Sequence, residues 1–346
     1  MTVRRRGDGH RMIRWLWTSR SPGARVVRAS LLPASALWYG VMAARRTAYR
    51  RGWLAQRSLA LPSVSIGNLT VGGSGKTPIA GWVAAHYATR GSRPAIVLRG
   101  VGNDETAVHR SAVPAAIVVA DPDRVAGTVR ALAEGAEVVV LDDAYQRLDV
   151  RRDLNICLVS AESSQAVRWP IPAGTWREGL PALDRADWIV VTRKRADART
   201  ARHFATLLHD RTGLPVAIVH LELSVLRGLV SGREQPVDNL RGRRVVAASA
   251  IADPAAFVAQ VKRTGAQVQV ATWKDHHQFR DEDLAWLAHA AVRADAVVVT
   301  DKDAVKLRGR WPASVPEPLV AILQVQFEAG EAELRDALDR VVERRV

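Results

Sequence analysis

Thr70-Val71-Gly72-Gly73-Ser74-Gly75-Lys76-Thr77 follows directly on the apolar run Val64-Ser65-Ile66 and precedes Pro78-Ile79-Ala80. A strand, a glycine-rich turn ending in Gly-Lys-Thr, and a helix opened by Pro form a phosphate-binding P-loop. The glycines let backbone N–H groups close around phosphate oxygens, at a helix N-terminus whose partial positive charge favours anions. Lys76 reaches the outer phosphates, and the Thr77 hydroxyl is placed to ligate Mg²⁺. Thr70 takes the first loop position, where Gly is usual. The eight residues from Thr70 to Thr77 are the expected binding set for a nucleoside triphosphate.

Outward from this loop, apolar runs alternate with helical stretches. The pattern predicts strands at Ser63–Gly67, Ala95–Arg99, Ala116–Val119, Glu137–Leu141, Leu154–Val159, Trp188–Thr192 and Val216–His220. It predicts helices at Pro78–Arg90, Asp123–Glu134 and Ala196–Thr212. Short continuous apolar strands separated by helices imply a parallel sheet covered on both faces, so the fold class is α/β of the P-loop NTPase type. Leu226–Arg244, rich in Gly and charge, reads as a linker. Beyond it the alternation restarts in a second, smaller α/β domain. Its strands are expected at Arg244–Ser249, Gln267–Ala271 and Ala296–Thr300, and its helices at Pro254–Thr264 and Asp281–Arg293. A last strand at Leu319–Gln324 and a helix at Ala329–Arg344 close the chain. The expected domains are thus 1–60, 61–225 and 226–346, with the last strand and helix able to return to the first α/β domain.

The 346 residues carry a formal charge of +15, which points to an anionic partner: nucleic acid, a phosphate-bearing substrate or an anionic membrane. The charge is concentrated. Thirteen arginines precede the P-loop, against Asp8 as the one acidic residue there. Among them lies the uncharged stretch Ala29–Ala44, with Leu31, Leu32, Leu37, Trp38, Tyr39, Val41 and Met42. It is short of the roughly 20 residues of a spanning helix. Trp and Tyr beside Arg favour the membrane–water interface, so residues 1–60 read as a helical segment lying in or dipping into an anionic leaflet. A buried core helix is the plain alternative. Ala34-Ser35-Ala36 resembles a signal-peptide cleavage site, but cleavage there would export a nucleotide-binding domain away from its nucleotide. The single cysteine, Cys157, rules out a disulfide framework and reads as a buried strand residue.

Glu137-Val138-Val139-Val140-Leu141-Asp142-Asp143 is an apolar strand ending in two carboxylates, the position from which P-loop proteins hold Mg²⁺. Asp at a strand end is also a common helix N-cap; the nearby Gly75-Lys76-Thr77 favours the metal reading. Leu98-Arg99-Gly100-Val101-Gly102-Asn103-Asp104-Glu105 brings Arg99 and Asp104 to the same sheet edge, as candidate phosphate contact and general base. Read alone, it is also a plain polar loop. Lys274-Asp275-His276-His277 lacks the further Cys or His ligands that zinc requires. His276 beside Asp275 suits an acid–base step. Pro170–Glu178, with Arg177, and the two lysines Lys302 and Lys306 suit an anionic substrate, or plain surface.

Together these segments resemble the lipid A 4′-kinase (tetraacyldisaccharide 4′-kinase) family, from about Leu31 to the end. The family pattern Val-Gly-Asn-(Leu/Ile)-Thr-Val-Gly-Gly-(Thr/Ser)-Gly-Lys-Thr-Pro is matched almost residue for residue by Ile66 to Pro78, including Thr70. Agreement recurs in order at Arg99-Gly100, Asp104-Glu105, Asp142-Asp143, Pro172-Ala173-Gly174 with Arg177-Glu178, Asp275-His276-His277 and Lys302–Lys306. Departures are Val101 for a usual aromatic, Arg147 where His commonly follows Gln146, and Ala250 for a usual Gly.

The resemblance implies ATP-dependent phosphorylation of the 4′-hydroxyl of a tetraacylated glucosamine disaccharide 1-phosphate, at the cytoplasmic face of the inner membrane. It implies ATP and Mg²⁺ as cofactors and the lipid A precursor and the membrane leaflet as partners, with no nucleic acid. Thr77, Asp142 and Asp143 would hold the metal. Lys76, Asp104 and His276 would carry the catalysis, and Asn68, Arg99 and Arg177 would bind the substrate. Other readings are a P-loop kinase for another anionic or lipid substrate, a GTPase, for which no Asn-Lys-x-Asp motif is present, and a nucleic-acid-binding ATPase.

Overall fold

The computed structural model describes residues 3–4, 12–13, 15–17, 19–100, 104–164 and 169–343. It begins with a two-residue strand, β1 (Val3–Arg4), and a long helix, α1 (Pro22–Arg50). Ser21 caps α1 by accepting from the Ala24 N–H, and Pro22 opens it. An alternating series follows: β2 (Ser63–Asn68), α2 (Lys76–Thr89), β3 (Pro94–Leu98), α3 (Asp104–Ala112), β4 (Ile117–Ala120) and α4 (Arg124–Ala133). It continues with β5 (Val138–Asp142), β6 (Leu154–Ser160), β7 (Trp188–Arg193), α5 (Ala198–Thr212) and β8 (Val216–Gly228). The remainder comprises β9 (Glu234–Pro236), β10 (Arg244–Ser249), α6 (Pro254–Arg263), β11 (Gln267–Thr272), α7 (Asp281–Arg293), β12 (Ala296–Thr300), α8 (Asp301–Leu307), β13 (Leu319–Ala329) and α9 (Glu331–Glu343).

The chain forms two compact units, one of Arg11–His220 with Phe327–Val346, the other containing Leu221–Gln326 and β1. Strands β8 and β13 contribute residues to both. In the larger unit the strands are parallel, in the order β8-β7-β6-β2-β5-β3-β4. Strands β2, β3 and β5 are buried at every residue, as parallel strands covered on both faces must be. One apolar core packs Cys157, Val159, Ile189 and Val191 with Phe204 and Leu208 of α5; another packs Ala95, Val97, Val139 and Leu141 with Ala131 of α4. Cys157 is fully buried, and burial, only partly opposed by Arg185, pushes its thiol up to about 12. It is an inert core residue.

The smaller unit is built on the parallel order β1-β11-β10-β12-β13. The stretch expected as a linker is largely ordered. Leu226 and Arg227 of β8 pair antiparallel with Gln235 and Glu234 of β9, and Val237–Leu240 forms a 3₁₀ turn. Its Gly- and charge-rich composition marks a hairpin, not a flexible tether. Two helices escaped the sequence pattern: α3, whose polar sequence read as a loop, and the seven-residue α8.

Candidate active site

Strand β2 ends at Asn68, and α2 begins at Lys76, so residues 69–75 form the loop between them. Gly75 has φ +87°, a left-handed backbone that only glycine takes readily, and it turns the chain into the helix. The loop is tied on several sides. Asn68 Nδ2 donates to Ser74 Oγ at 2.7 Å, and the Val71 N–H donates to the Thr175 carbonyl at 2.7 Å. Thr192 Oγ1 donates to the Ser74 carbonyl at 2.9 Å, and Lys194 Nζ to the Gly73 carbonyl at 2.7 Å. Asn68 is fully buried beneath the loop. Through Nδ2 it braces the loop at Ser74.

The two carboxylates at the end of β5 lie in different settings. Asp142 is buried, with Oδ2 2.9 Å from Nε2 of the fully buried His109. Asp143 takes a left-handed φ of +51°, an uncommon state for a non-glycine residue and one that gathers at functional sites. Its Oδ1 lies 3.0 Å from Arg177 Nη1 and 3.6 Å from Lys76 Nζ. Arg177 Nη1 also donates to Gln146 Oε1 at 3.2 Å, and Gln146 Nε2 to the Asn68 carbonyl at 2.8 Å. Lys76, Asp143 and Arg177, 101 residues apart at the extremes of sequence, therefore converge beside the N-terminus of α2. Gly67 permits this approach: a Cβ there would lie 2.4 Å from Tyr145 Cβ. Behind Arg177, Arg185 forms an ion pair with the buried Glu178 and donates to the Tyr145 carbonyl.

Thr77, Asp142 and Asp143 offer oxygen donors only, the chemistry a hard divalent cation takes. Among the described residues no three His, Cys, Asp or Glu side chains form a complete cage.

Asp104 is the first residue of α3, buried, on the same helix as His109. Arg99 is exposed just past β3; Val101, Gly102 and Asn103 lie outside the described residues. His276 belongs to the smaller unit. It is exposed, with φ +58°, and Asp143 is the other non-glycine residue with positive φ among those described. Its N–H donates to the Ala250 carbonyl at 3.2 Å and to Asp275 Oδ1 at 3.1 Å, while its Nε2 stands 4.0 Å from Asp275 Oδ2. His277 is structural: it stacks on Trp273 and meets Asp283 Oδ2 at 2.8 Å. Burial opposes ionisation of Asp283, but the bonds from His277, Arg280 and Trp273 outweigh it and lower its pKa. Lys306 is buried against Asp303, which also accepts from the Ala250 N–H at 2.9 Å.

Helix α1 docks on the loop that carries Arg177. Ser35 Oγ donates to the Pro170 carbonyl and accepts from the Ala173 N–H, both at 3.0 Å. The Trp38 indole donates to the Arg177 carbonyl at 2.9 Å, and Arg45 to the Gln146 carbonyl at 3.2 Å. The buried residues Ala24, Arg28, Ser35 and Met42 share one side of the helix. Val26, Pro33, Leu37, Val41 and Ala44 are exposed on the other. Met42, expected to face a membrane, instead faces protein, because it lies a half-turn round from Leu37 and Ala44. The helix is long and apolar enough to cross a membrane, with a mean hydropathy of 1.3 over its 18-residue window.

His109, Gln146, Arg185, Thr192 and Lys194 join the site without any local motif. Their partners stand far away in sequence, and only the parallel β-α alternation, which gathers strand ends at one edge, hints at them.

The family model described as Tetraacyldisaccharide-1-P 4'-kinase matches residues 27–111 and 101–343. A tetraacyldisaccharide 4'-kinase of Anaeromyxobacter sp. (strain Fw109-5) is 34% identical, over 95% of this chain and 96% of its own length. One of Geobacter sulfurreducens is 33% identical, over 92% and 95%. Among solved structures, the "apo" form of LpxK from Aquifex aeolicus in complex with ATP superposes with a TM-score of 0.73. It shares 28% identity and covers 91% of this chain and 99% of that one.

Proposed function

The chain belongs to the tetraacyldisaccharide-1-P 4'-kinase family and is a kinase of lipid A biosynthesis, and on that premise we propose how its residues share the reaction. The observation that carries the reading is the meeting of Lys76, Asp143 and Arg177 beside the N-terminus of α2. A helix N-terminus, an ammonium, a guanidinium and a carboxylate in one place suit a metal-bound triphosphate and a second anionic reactant.

Phosphoryl transfer asks mainly for positioning and charge neutralisation. The amides of Gly72–Thr77 and the Lys76 ammonium hold the β- and γ-phosphates of ATP. Thr77, Asp142 and Asp143 would hold Mg²⁺, which when bound would neutralise charge on the phosphates. His109 fixes the Asp142 carboxylate for that task. Arg177, with Arg99, binds the phosphate of the acceptor, a tetraacylated glucosamine disaccharide 1-phosphate. Asp104 accepts the proton of the 4′-hydroxyl, and the strained backbone of His276, in the smaller unit, supports its own role in an acid–base step.

The acceptor is a lipid, and α1 supplies a way to meet it. Its docked side meets the Arg177 loop at Ser35 and Trp38, in mid-helix, which favours a helix lying along the leaflet over one that crosses it. The exposed apolar side, flanked by arginines, suits the anionic cytoplasmic leaflet of the inner membrane. The same arginines are read as a lipid contact, not a nucleic-acid contact.

Mass spectrometry of the lipid product tests the proposal. One phosphate added to the 4′-position of the disaccharide 1-phosphate, dependent on ATP and Mg²⁺, supports it. Phosphate on another position, or ATP turnover without a lipid product, overturns it.

A further inference from the structure

A trans peptide unit is planar, so its C=O and the following N–H point in opposite directions. Fixing a carbonyl therefore aims the next amide. Two carbonyls of the phosphate loop are fixed by side chains from the end of β7 and the turn just past it. The Thr192 hydroxyl donates to the Ser74 carbonyl at 2.9 Å, and that peptide plane carries the Gly75 N–H. The Lys194 ammonium donates to the Gly73 carbonyl at 2.7 Å, and that plane carries the Ser74 N–H, which closes a tight turn on the Gly72 carbonyl at 3.0 Å. Strand β7 is separated from β2 by β6 alone, so both side chains reach across one strand to the loop.

The turn that carries Lys194 is itself held. Glu162 Oε1 accepts the N–H groups of Lys194, Arg195 and Ala196 at 2.6, 2.8 and 3.2 Å, and Oε2 accepts from the Ser160 hydroxyl. Burial opposes ionisation of this carboxyl, but the Arg195 N–H, the Ser160 hydroxyl and the Lys194 N–H outweigh it, holding it at about 2. The carboxylate therefore stays charged at neutral pH and keeps three successive N–H groups turned toward itself. Asp197 then caps α5 by accepting from the Thr200 N–H at 2.7 Å. Thr192 and Lys194 both meet the loop at its carbonyls.

We propose that Thr192 and Lys194, with Glu162 holding the turn, are positioning residues for ATP binding. They fix the loop backbone before the triphosphate arrives, Thr192 by aiming the Gly75 amide and Lys194 by holding the tight turn at Ser74, so that less ordering is left to binding. The inference rests on the reading of residues 70–77 as the triphosphate site.

The test is titration calorimetry of ATP, with and without Mg²⁺, into full-length protein carrying Thr192→Val, Lys194→Met, Lys194→Arg or, as reference, Lys76→Ala. Thr192→Val and Lys194→Met each weaken ATP binding about tenfold, the scale of losing one hydrogen bond that involves a well-placed or charged donor. The loss appears in KM for ATP more than in kcat, and Lys194→Arg, which keeps a charged donor, recovers most of it. The unfolding temperature without nucleotide stays near that of the wild type. Lys194 is at the surface, so Lys194→Met tests the idea even where Thr192→Val perturbs the core. Wild-type affinity in Lys194→Met beside a defective Lys76→Ala overturns this inference and leaves the triphosphate site standing. Wild-type affinity in both overturns the site itself. A loss of affinity matched by a lowered unfolding temperature and not rescued by Arg makes the contact merely structural, which also overturns the inference.

Discussion

Replacing Val26, Leu37 and Val41 together with Ser removes the outward apolar stripe of α1 and leaves its docked side intact. These residues are 68%, 71% and 53% exposed. Full burial of a Val or Leu side chain contributes about 2 kcal/mol, so scaling by the exposed fractions gives about 4 kcal/mol of available membrane affinity, roughly three orders of magnitude in partitioning. If headgroup-level insertion realises a third of that, the loss is still about tenfold. Arginines near an anionic surface add about 1 kcal/mol each, and salt screens that part, so the triple variant retains a salt-sensitive remainder. The assay is sedimentation with vesicles of phosphatidylethanolamine and phosphatidylglycerol at low and high salt, beside thermal unfolding of each protein. Met42→Ser is the internal control. Met42 is 8% exposed and faces protein, so its loss costs about 2 kcal/mol of fold stability and leaves partitioning little changed. A folded triple variant that co-sediments as the wild type does would refute the reasoning: the stripe would then meet protein, not lipid.

Three further outcomes follow from the site. Lys76→Ala and Thr77→Ala abolish phosphate transfer while circular dichroism and the unfolding temperature stay near wild type; near-normal turnover in folded Lys76→Ala would contradict the P-loop assignment. Asp104→Ala lowers kcat by about 10² to 10⁴ with a smaller effect on KM for ATP, and His276→Ala acts on the same step. If the two form one proton-accepting unit, the double variant is little worse than the worse single variant, and multiplicative losses show independent action. Glu162 has a folded pKa lowered from 4.5 to about 2, so its stabilisation, about 3 kcal/mol, is present above pH 4.5 and fades as pH falls toward 2. Thermal unfolding across that range shows a shallower acid decline for Glu162→Gln than for wild type; identical declines would exclude Glu162 as a source of it.

The parts legible in the sequence are those whose chemistry is contiguous. Residues 70–77 announce a phosphate loop because the turn, the lysine and the hydroxyl lie within eight positions. Asp142 and Asp143 announce themselves by ending an apolar strand. What stays hidden depends on partners distant in sequence: His109 meets Asp142 from 33 residues away, and Lys194 meets Gly73 from 121. No local pattern distinguishes those two from any other polar residue. Asp104 reads as a loop residue because α3 begins with the polar run Asp104-Glu105-Thr106, whose pairing with the sheet is invisible in one dimension. The uncharged run Ala29–Ala44 shows that part of α1 is apolar, but which side meets protein is set by Ser35 and Arg28, two polar residues that composition would place outward.

In the proposed reaction this site moves the γ-phosphate of ATP onto a lipid. The most direct measurement is transfer of radiolabelled γ-phosphate from ATP to the tetraacyldisaccharide 1-phosphate in detergent micelles, with Mg²⁺, by wild type and by Lys76→Ala. Label appearing in the lipid with wild type, absent without Mg²⁺ and absent with Lys76→Ala, is the predicted result. Label remaining in ATP or released only as inorganic phosphate, or equal labelling of the lipid by both proteins, would contradict the account.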